Sequence, residues 1–392
     1  MVHVDIQPLY RYIWIFKKRC LTYFVLIVSG ISAIFFFNRD CYNSLQNTTK
    51  KWVSVIKTEI ETTTPHLLHQ KVIHDCKENT SVANINGFSE LADHIKDFLR
   101  YKHCRSFEMI YDIPNKCDGP QQSDKVFLFL MIKSSPNHYE RREVIRKTWG
   151  QERIYSGMQI RRLFILGVSS NENERKKLKQ LIRTEYQQYG DIIQWNFYDT
   201  FFNLTLKQVL FYEWFIEHCP YVKFLFNGDD DSYVNSEEMV HYFLDLKGND
   251  GSKHLFVGIL MDHVSPIRST ESKYCVPEQV YPSDSYPPYC SGGGIMMSGF
   301  TAREIYHASL SIPIMPIDDV YQGMCLEKAG LSPASHMAIF TIGLESRFIS
   351  LDSLDLCFYK KFLVVHRVQP YEIAMLWEAI HASDQQCGDS AL

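Results

Sequence analysis

No glycine-rich phosphate loop follows the first apolar run of this chain, in either the dinucleotide or the Walker spacing, so a GxGxxG cofactor fingerprint is excluded. No Cys-x-x-Cys pair occurs, which disfavours a zinc site. Positive charge is in no excess: 41 Lys and Arg face 45 Asp and Glu, for a net charge of −4, and nucleic acid is a poor partner for such a surface. Internal repeats and low-complexity tracts are absent. Core material is plentiful. The 392 residues are 45% hydrophobic and include 23 Tyr, 25 Phe and 6 Trp, which suits a well-packed enzyme of at most two domains plus appendages and argues against long disorder.

Residues 21–37 form a charge-free apolar run at the short end of what crosses a hydrocarbon core. Arg11, Lys17, Lys18 and Arg19 precede it, which holds the N-terminus in the cytosol. No small-residue cleavage pattern ends the run, so it reads as an uncleaved signal-anchor of a type II membrane protein, with a buried core helix as the alternative. The expected organisation is a cytosolic tail (1–20), the anchor (21–37), a stem (38–85) and a lumenal domain (86–392). Of eleven cysteines only Cys20 precedes the anchor, and the even number beyond it predicts disulfides in an oxidising lumen. Sequons at Asn47, Asn79 and Asn203 all fall on the same side.

Within the lumenal part, residues 126–132 (VFLFLMI) read as a fully buried strand broken by Pro136, and residues 139–149 as a helix stopping at Gly150. Residues 162–168 give a second strand, followed by a charged surface helix over 172–189 with Leu178, Leu181 and Ile182 turned inward. Strands at 192–197 and 221–226 flank a helix over 204–218. Upstream, Phe88, Leu91, Ile95, Phe98 and Leu99 fall at helical spacing. This alternation predicts an α/β fold whose central sheet is mainly parallel, with helices on both faces.

Five constellations carry candidate chemistry. The strand FLFNG at 224–228 runs into Asp229, Asp230 and Asp231, three like charges that a divalent cation would relieve, although Asp and Gly equally suit a solvated turn. Arg141, Arg142, Arg146 and Lys147 follow the first strand. Arg142 and Arg146 share a helical face, either as a phosphate clamp or as a solvated basic surface. Tyr286 and Tyr289 lead into the glycines Gly292, Gly293 and Gly294, where backbone can approach a ligand and rings can stack on a sugar, unless the run is only a turn. Asp318 and Asp319 sit at a predicted helix N-terminus, where one can cap and the other can act as a general base. His366 ends the run FLVV and can join the aspartates in an Asp/His metal site or be merely structural.

In this order the stretches KSSPNHYERREVIRKTWG, YGDIIQWNFYDTFFNLTLKQ, FLFNGDDDSYVN, HLFVGILM, YPPYCSGGGIMMSG and IDDVYQGMCL resemble the β-1,3-glycosyltransferase family of the secretory pathway, glycosyltransferase family 31. The likeness covers roughly residues 100–387 and is closest to its β-1,3-N-acetylglucosaminyltransferase branch, with IDDVY, GLSPASH and LVVHRVQPYEIAMLW most like the members that extend core 1 O-glycans. The resemblance implies a single glycosyltransferase-A (Rossmann-like) domain in the Golgi lumen, UDP-N-acetylglucosamine as donor, manganese as cofactor and inversion at the anomeric carbon. The implied acceptor is a galactose-terminated glycan, core 1 or poly-N-acetyllactosamine, and the implied neighbours include other Golgi transferases. By position, Asp231 and His366 match metal contacts, Asp230 with Asp229 the nucleotide contact, and Asp319 beside Asp318 the general base. Arg142, Arg146, Lys207, Gly293 and Gly294 fall where the family holds its donor. Two departures stand out: Ser232-Tyr233 where relatives usually have Val-Phe, and Ser291 where they often have a further glycine. A β-1,3-galactosyltransferase, a catalytically silent Golgi glycan- or partner-binding protein and a metal-dependent phosphohydrolase are the competing readings.

Overall fold

The computed structural model describes residues 76–340 and 359–382. The expected tail, anchor and most of the stem lie outside these, and among the described residues no helix is long and apolar enough to cross a membrane. The packed structure already includes residues 76–85, since Val82 joins a small core with Phe88, Ile95 and Leu99 and Cys76 is bonded to Cys104. The helix expected from Phe88 onward is divided into a 3-10 turn at Phe88–Glu90 and α1 (Asp93–Tyr101).

The centre of the main sheet follows the strand–helix alternation. β2 (Val126–Lys133) lies parallel to β4 (Met158–Val168) on one side and to β6 (Phe224–Asp229) on the other, and β5 (Ile192–Tyr198) continues the parallel set beyond β4. All of β2 except Phe127 is buried, as a strand covered on both faces must be. Outside this set the sheet turns antiparallel. β9 (Tyr289–Ser298) runs against both β6 and β8 (Phe256–Met261), β1 (Met109–Tyr111) against β5, and β3 (Arg153–Tyr155) forms a hairpin with β4. β10 (Ala334–Ser335) pairs in parallel with β8. The sheet is therefore mixed, and not mainly parallel as the alternation predicted. The largest difference arises at β9, whose glycines read either as a close approach to a ligand or as a turn but form a ten-residue strand paired on both edges.

A second, three-stranded sheet consists of β11 (Ile339–Phe340), β12 (Val364–His366) and β7 (Ser232–Val234). β7 starts directly after Asp231, and its antiparallel register sets His366 opposite Ser232.

Helices cover both faces. The charged α3 (Glu172–Tyr189) is capped by Asn171 and ends on Gly190 in a left-handed conformation. Only one edge of it is covered: Ile182 is buried, whereas Leu181, expected to point inward, is exposed. α4 (Leu204–His218) is apolar nearly all round and packs with α6 (Gly299–Ser309) and α7 (Asp318–Lys328) on one face of the sheet. α2 (Tyr139–Lys147), α5 (Ser236–Leu244), α8 (Pro370–Ala382) and β12 cover the other.

The expected disulfides are met in part. Cys76–Cys104 and Cys117–Cys219 are bonded, while Cys275, Cys290 and Cys325 are buried free thiols. Cys117–Cys219 closes 102 residues and ties the segment before β2 to the end of α4. Replacing this pair by Ser is expected to cost about 2–5 kcal/mol, because the closed loop restricts the unfolded chain. Urea unfolding of the pair variant against the parent measures it; an unchanged midpoint would show that the bridge adds nothing.

Candidate active site

The parallel register of β2 with β6 brings Lys133 opposite Asp229. Lys133 Nζ lies 3.1 Å from Asp229 Oδ1 and 2.7 Å from Asp318 Oδ2, so one ammonium bridges the end of β6 and the start of α7. Burial alone would lower its pKa. Asp229, Asp318 and Asp319 together outweigh that cost and hold its pKa well above the usual lysine range. Asp318 and Asp319 occupy the first turn of α7, where the helix dipole favours negative charge. The cap position itself belongs to Ile317, which makes no side-chain cap, so neither aspartate is the N-cap that the sequence suggested.

Asp230 turns toward α2. His138 Nδ1 lies 2.8 Å from its Oδ2, and Arg141 donates to its Oδ1 at 3.2 Å. Asp231 faces β12: His366 Nε2 is 3.1 Å from Asp231 Oδ1 and 3.6 Å from Asp229 Oδ2. The backbone cooperates, because Val368 N–H donates to the Asp231 carbonyl at 2.8 Å across a left-handed Arg367. Burial raises the Asp231 carboxyl, but His366 and then Arg141 prevail and hold it below the ordinary range. Asp229, Asp231 and His366 thus offer three ligand atoms within 4.8 Å of one another. Two carboxylate oxygens and an imidazole nitrogen form a donor set suited to a hard or borderline divalent cation.

β9 separates this cluster from Asp319. A Cβ on Gly292 would stand 2.7 Å from Asp319 Oδ2, and one on Gly293 would stand 2.3 Å from the His366 ring. Gly293 also has φ +101°, a conformation that L side chains rarely adopt. Gly294, paired with Gly228, would meet Val364. The glycines therefore admit the protein's own side chains close to the backbone, whereas the sequence had pointed to a ligand there. Ser232 Oγ donates to the Gly293 carbonyl at 2.6 Å, so this departure from the family pattern braces the glycine strand. Asp319 is pushed well above the carboxylate range by burial first, then by Asp318, with Lys133 and the Gly292 N–H opposing. Of the two tyrosines, Tyr286 is buried and only the half-buried Tyr289 is open to a ligand.

The cations expected at the donor are used internally. Arg142 is fully buried and forks onto Glu185 at 2.8 and 2.7 Å. Arg146 is held by Asp191 at 2.9 and 3.0 Å and by Glu185 at 2.9 Å. Lys207 is buried against Asp199 and the Ser134 carbonyl, both at 2.7 Å. All three are buried and paired within the protein, which differs from the exposed phosphate clamp or solvated basic surface that the sequence suggested. The cations that do face the aspartates are Lys133 and His138, which the sequence reading did not single out, and Arg141, which it placed in the basic cluster. The available signal was a Lys ending an otherwise apolar strand, an unusual terminus for a buried run.

Lys133→Met should leave Asp229 and Asp318 without their shared cation and destabilise the fold by about 3–5 kcal/mol; denaturant unfolding checks this, and an unchanged stability would show that the bridge is dispensable. Asp319→Asn should act in the opposite sense. Because the folded carboxyl titrates well above its unfolded value of about 4, the native state resists losing that proton, and stability falls as pH rises from that value through the folded one. In metal-free protein the Asn variant should therefore melt higher than the parent at neutral pH, with the gap closing below about pH 4. A gap independent of pH would refute the assignment.

A family model described as Galactosyltransferase matches residues 140–337. Over 315 residues the chain is 47% identical to the Homo sapiens protein named N-acetyllactosaminide β-1,3-N-acetylglucosaminyltransferase 3, spanning 80% of this chain and 82% of that one. It is 46% identical over 314 residues to the Mus musculus acetylgalactosaminyl-O-glycosyl-glycoprotein β-1,3-N-acetylglucosaminyltransferase, spanning 80% and 79%. The Rattus norvegicus UDP-GlcNAc:βGal β-1,3-N-acetylglucosaminyltransferase 7 follows at 40% over 315 residues, spanning 80% and 77%. A mixed α/β sheet with its carboxylates at the edge where parallel strands give way to antiparallel ones accords with these matches, and the chain belongs to the galactosyltransferase family, glycosyltransferase family 31.

Proposed function

We propose that this protein is an inverting, metal-dependent β-1,3-N-acetylglucosaminyltransferase of glycosyltransferase-A type, anchored in the Golgi membrane with its catalytic domain in the lumen. It would transfer N-acetylglucosamine from UDP-N-acetylglucosamine to the 3-hydroxyl of galactose on core 1 or N-acetyllactosamine glycans. The observation that carries this reading is the division of labour across β9, with Asp319 packed against Gly292 on one side and His366 against Gly293 on the other. The printed names of the relatives support the donor sugar and the linkage.

Inversion needs one base and one charge sink. As the acceptor O3 bonds to the anomeric carbon and the bond from that carbon to the UDP oxygen breaks, the hydroxyl proton passes to Asp319. A carboxylate whose pKa is raised by burial and by Asp318 is a stronger base than an exposed one. Asp229, Asp231 and His366 fit a manganese or similar ion by donor type and spacing. Such an ion, when bound, supplies positive charge to the departing diphosphate. Arg141, partly exposed between Asp230 and Asp231, is the cation of α2 that faces the same space. Asp230, gripped by His138 and Arg141, keeps that guanidinium aimed there.

The family model's description favours one second reading, a β-1,3-galactosyltransferase using UDP-galactose. A secreted fragment from residue 40 onward, given manganese, a panel of UDP-sugars and both acceptors, separates them. β-1,3-linked N-acetylglucosamine in the product, lost with chelator, is the expected result, and galactose in its place selects the alternative. Asp319→Asn should abolish transfer, by on the order of a hundredfold or more, while UDP binding stays near that of the parent. Turnover retained in that variant removes Asp319 from the base role.

A further inference from the structure

The core beneath the cleft holds a polar cluster that no step above uses. Asn227 on β6, Gln322 on α7, and Gln208 and Tyr212 on α4 are all buried, at most 2% exposed. Asn227 Nδ2 donates to Gln322 Oε1 at 3.1 Å, and the Tyr212 hydroxyl donates to the same oxygen at 3.0 Å. That hydroxyl accepts in turn from Gln208 Nε2 at 3.0 Å. The surroundings are apolar, with Phe211, Leu225, Met297 and Val320 in the same core. Asn227 Oδ1, Gln322 Nε2 and Gln208 Oε1 find no partner among the described residues. A half-satisfied buried cluster costs stability compared with apolar groups of the same shape, so its contribution has to be sought elsewhere.

Its placement indicates where. Asn227 precedes Asp229 by two residues on β6, and Gln322 follows Asp318 by four on α7. Side chains four apart lie one above the other on a helix, and those two apart on a strand share a face. The Asn227–Gln322 contact therefore repeats, one helical turn deeper, the link that Lys133 makes between Asp229 and Asp318. One polar tie lets a helix pivot about it, whereas two ties a turn apart define its register and rotation against the strand. Apolar packing is non-directional and does not select among positions that differ by a fraction of an ångström.

We infer that Gln322, keyed by Asn227 and Tyr212, is a positioning residue that sets where Asp319 stands relative to the Asp229–Asp231–His366 cluster. The inference rests on Asp319 being the base. Gln322→Met keeps the length of the side chain and removes its polar contacts. Misplacement of a reacting group by about 1 Å can cost on the order of a hundredfold, and the variant should lose at least about tenfold in kcat. The KM for UDP-N-acetylglucosamine should be unchanged, and the loss in kcat should persist per folded molecule even though the stranded Asn227 and Tyr212 donors lower the melting temperature. Tyr212→Phe, which removes one hydrogen bond, should show a smaller loss of the same kind. A role in stability alone would leave kcat per folded molecule intact whatever the melting temperature, and that result overturns the inference. Should Gln322→Met fail to fold, Tyr212→Phe decides, and an unchanged kcat there also overturns it. Asp319→Asn is assayed alongside: if it is inactive while Gln322→Met turns over normally, only the positioning role falls, whereas an active Asp319→Asn removes the base assignment itself.

Discussion

Five carboxyl groups crowd one end of the sheet, and their mutual repulsion is the constraint on which the site's architecture depends. At a separation of about 4 Å and an effective dielectric near 20, two like charges repel by about 4 kcal/mol. The chain answers by alternation. Asp318 meets Lys133, Lys133 meets Asp229, Asp229 meets His366, His366 meets Asp231, Asp231 meets Arg141, Arg141 meets Asp230, and Asp230 meets His138. Four of the five acids are thus separated from one another by a nitrogen group, and Asp319, beside Asp318, is the one left outside the alternation. Lys133, His138 and Arg141 all come from one segment, the end of β2 and the start of α2, which makes the conformation of that segment decisive.

The buried cations explain how the segment is held. Arg142 donates to Ser134 Oγ and to the carbonyls of Ser135 and Pro136, while Lys207 donates to the Ser134 carbonyl. Glu185 on α3 holds Arg142 from behind, and Asp199 does the same for Lys207. Three consecutive carbonyls are thus drawn inward by side chains that never reach the cleft. A guanidinium that sequence reading assigns to phosphate can serve the same site from below, by fixing the backbone from which His138 and Arg141 project.

The parts legible from the sequence were those governed by local periodicity. The apolar run of β2, the amphipathic α3, the buried α4 and the acidic end of β6 each carry their signal within a dozen or so residues. β9 does not. A run of glycines has low strand propensity, and its strand character comes from pairing with β6 and β8 on both edges, a tertiary effect that overrides the local one. The paired state of Arg142 and Arg146 was equally unreadable, because Glu185 and Asp191 lie more than forty residues further along the chain. Asp231 and His366 could be guessed from residue chemistry, yet what joins them is the pairing of β7 with β12. Lys133 was overlooked because a lysine at a strand end ordinarily snorkels to water. Here the space that water would fill is taken by carboxylates.

The alternating chain also means that the two halves of the cleft are not independent. Asp229 belongs to the candidate metal cluster and Asp318 to the pair that contains the proposed base, and a single ammonium serves both. Any positive charge brought to Asp229 competes with Lys133 for that carboxylate and leaves the ammonium freer to lean on Asp318 and, through the field, on Asp319. Both influences lower the carboxyl pKa on the base side, so loading one half of the cleft prepares the other to accept a proton only to the extent that Asp319 first gives up its own. The high Asp319 carboxyl has burial as its first cause and the repulsion of Asp318 as its second, while three acids on this side share one lysine. With Asp319 as the proposed base, a site arranged in this way would strengthen it by withholding a cation and ready it by supplying one, with Lys133 as the element common to both states.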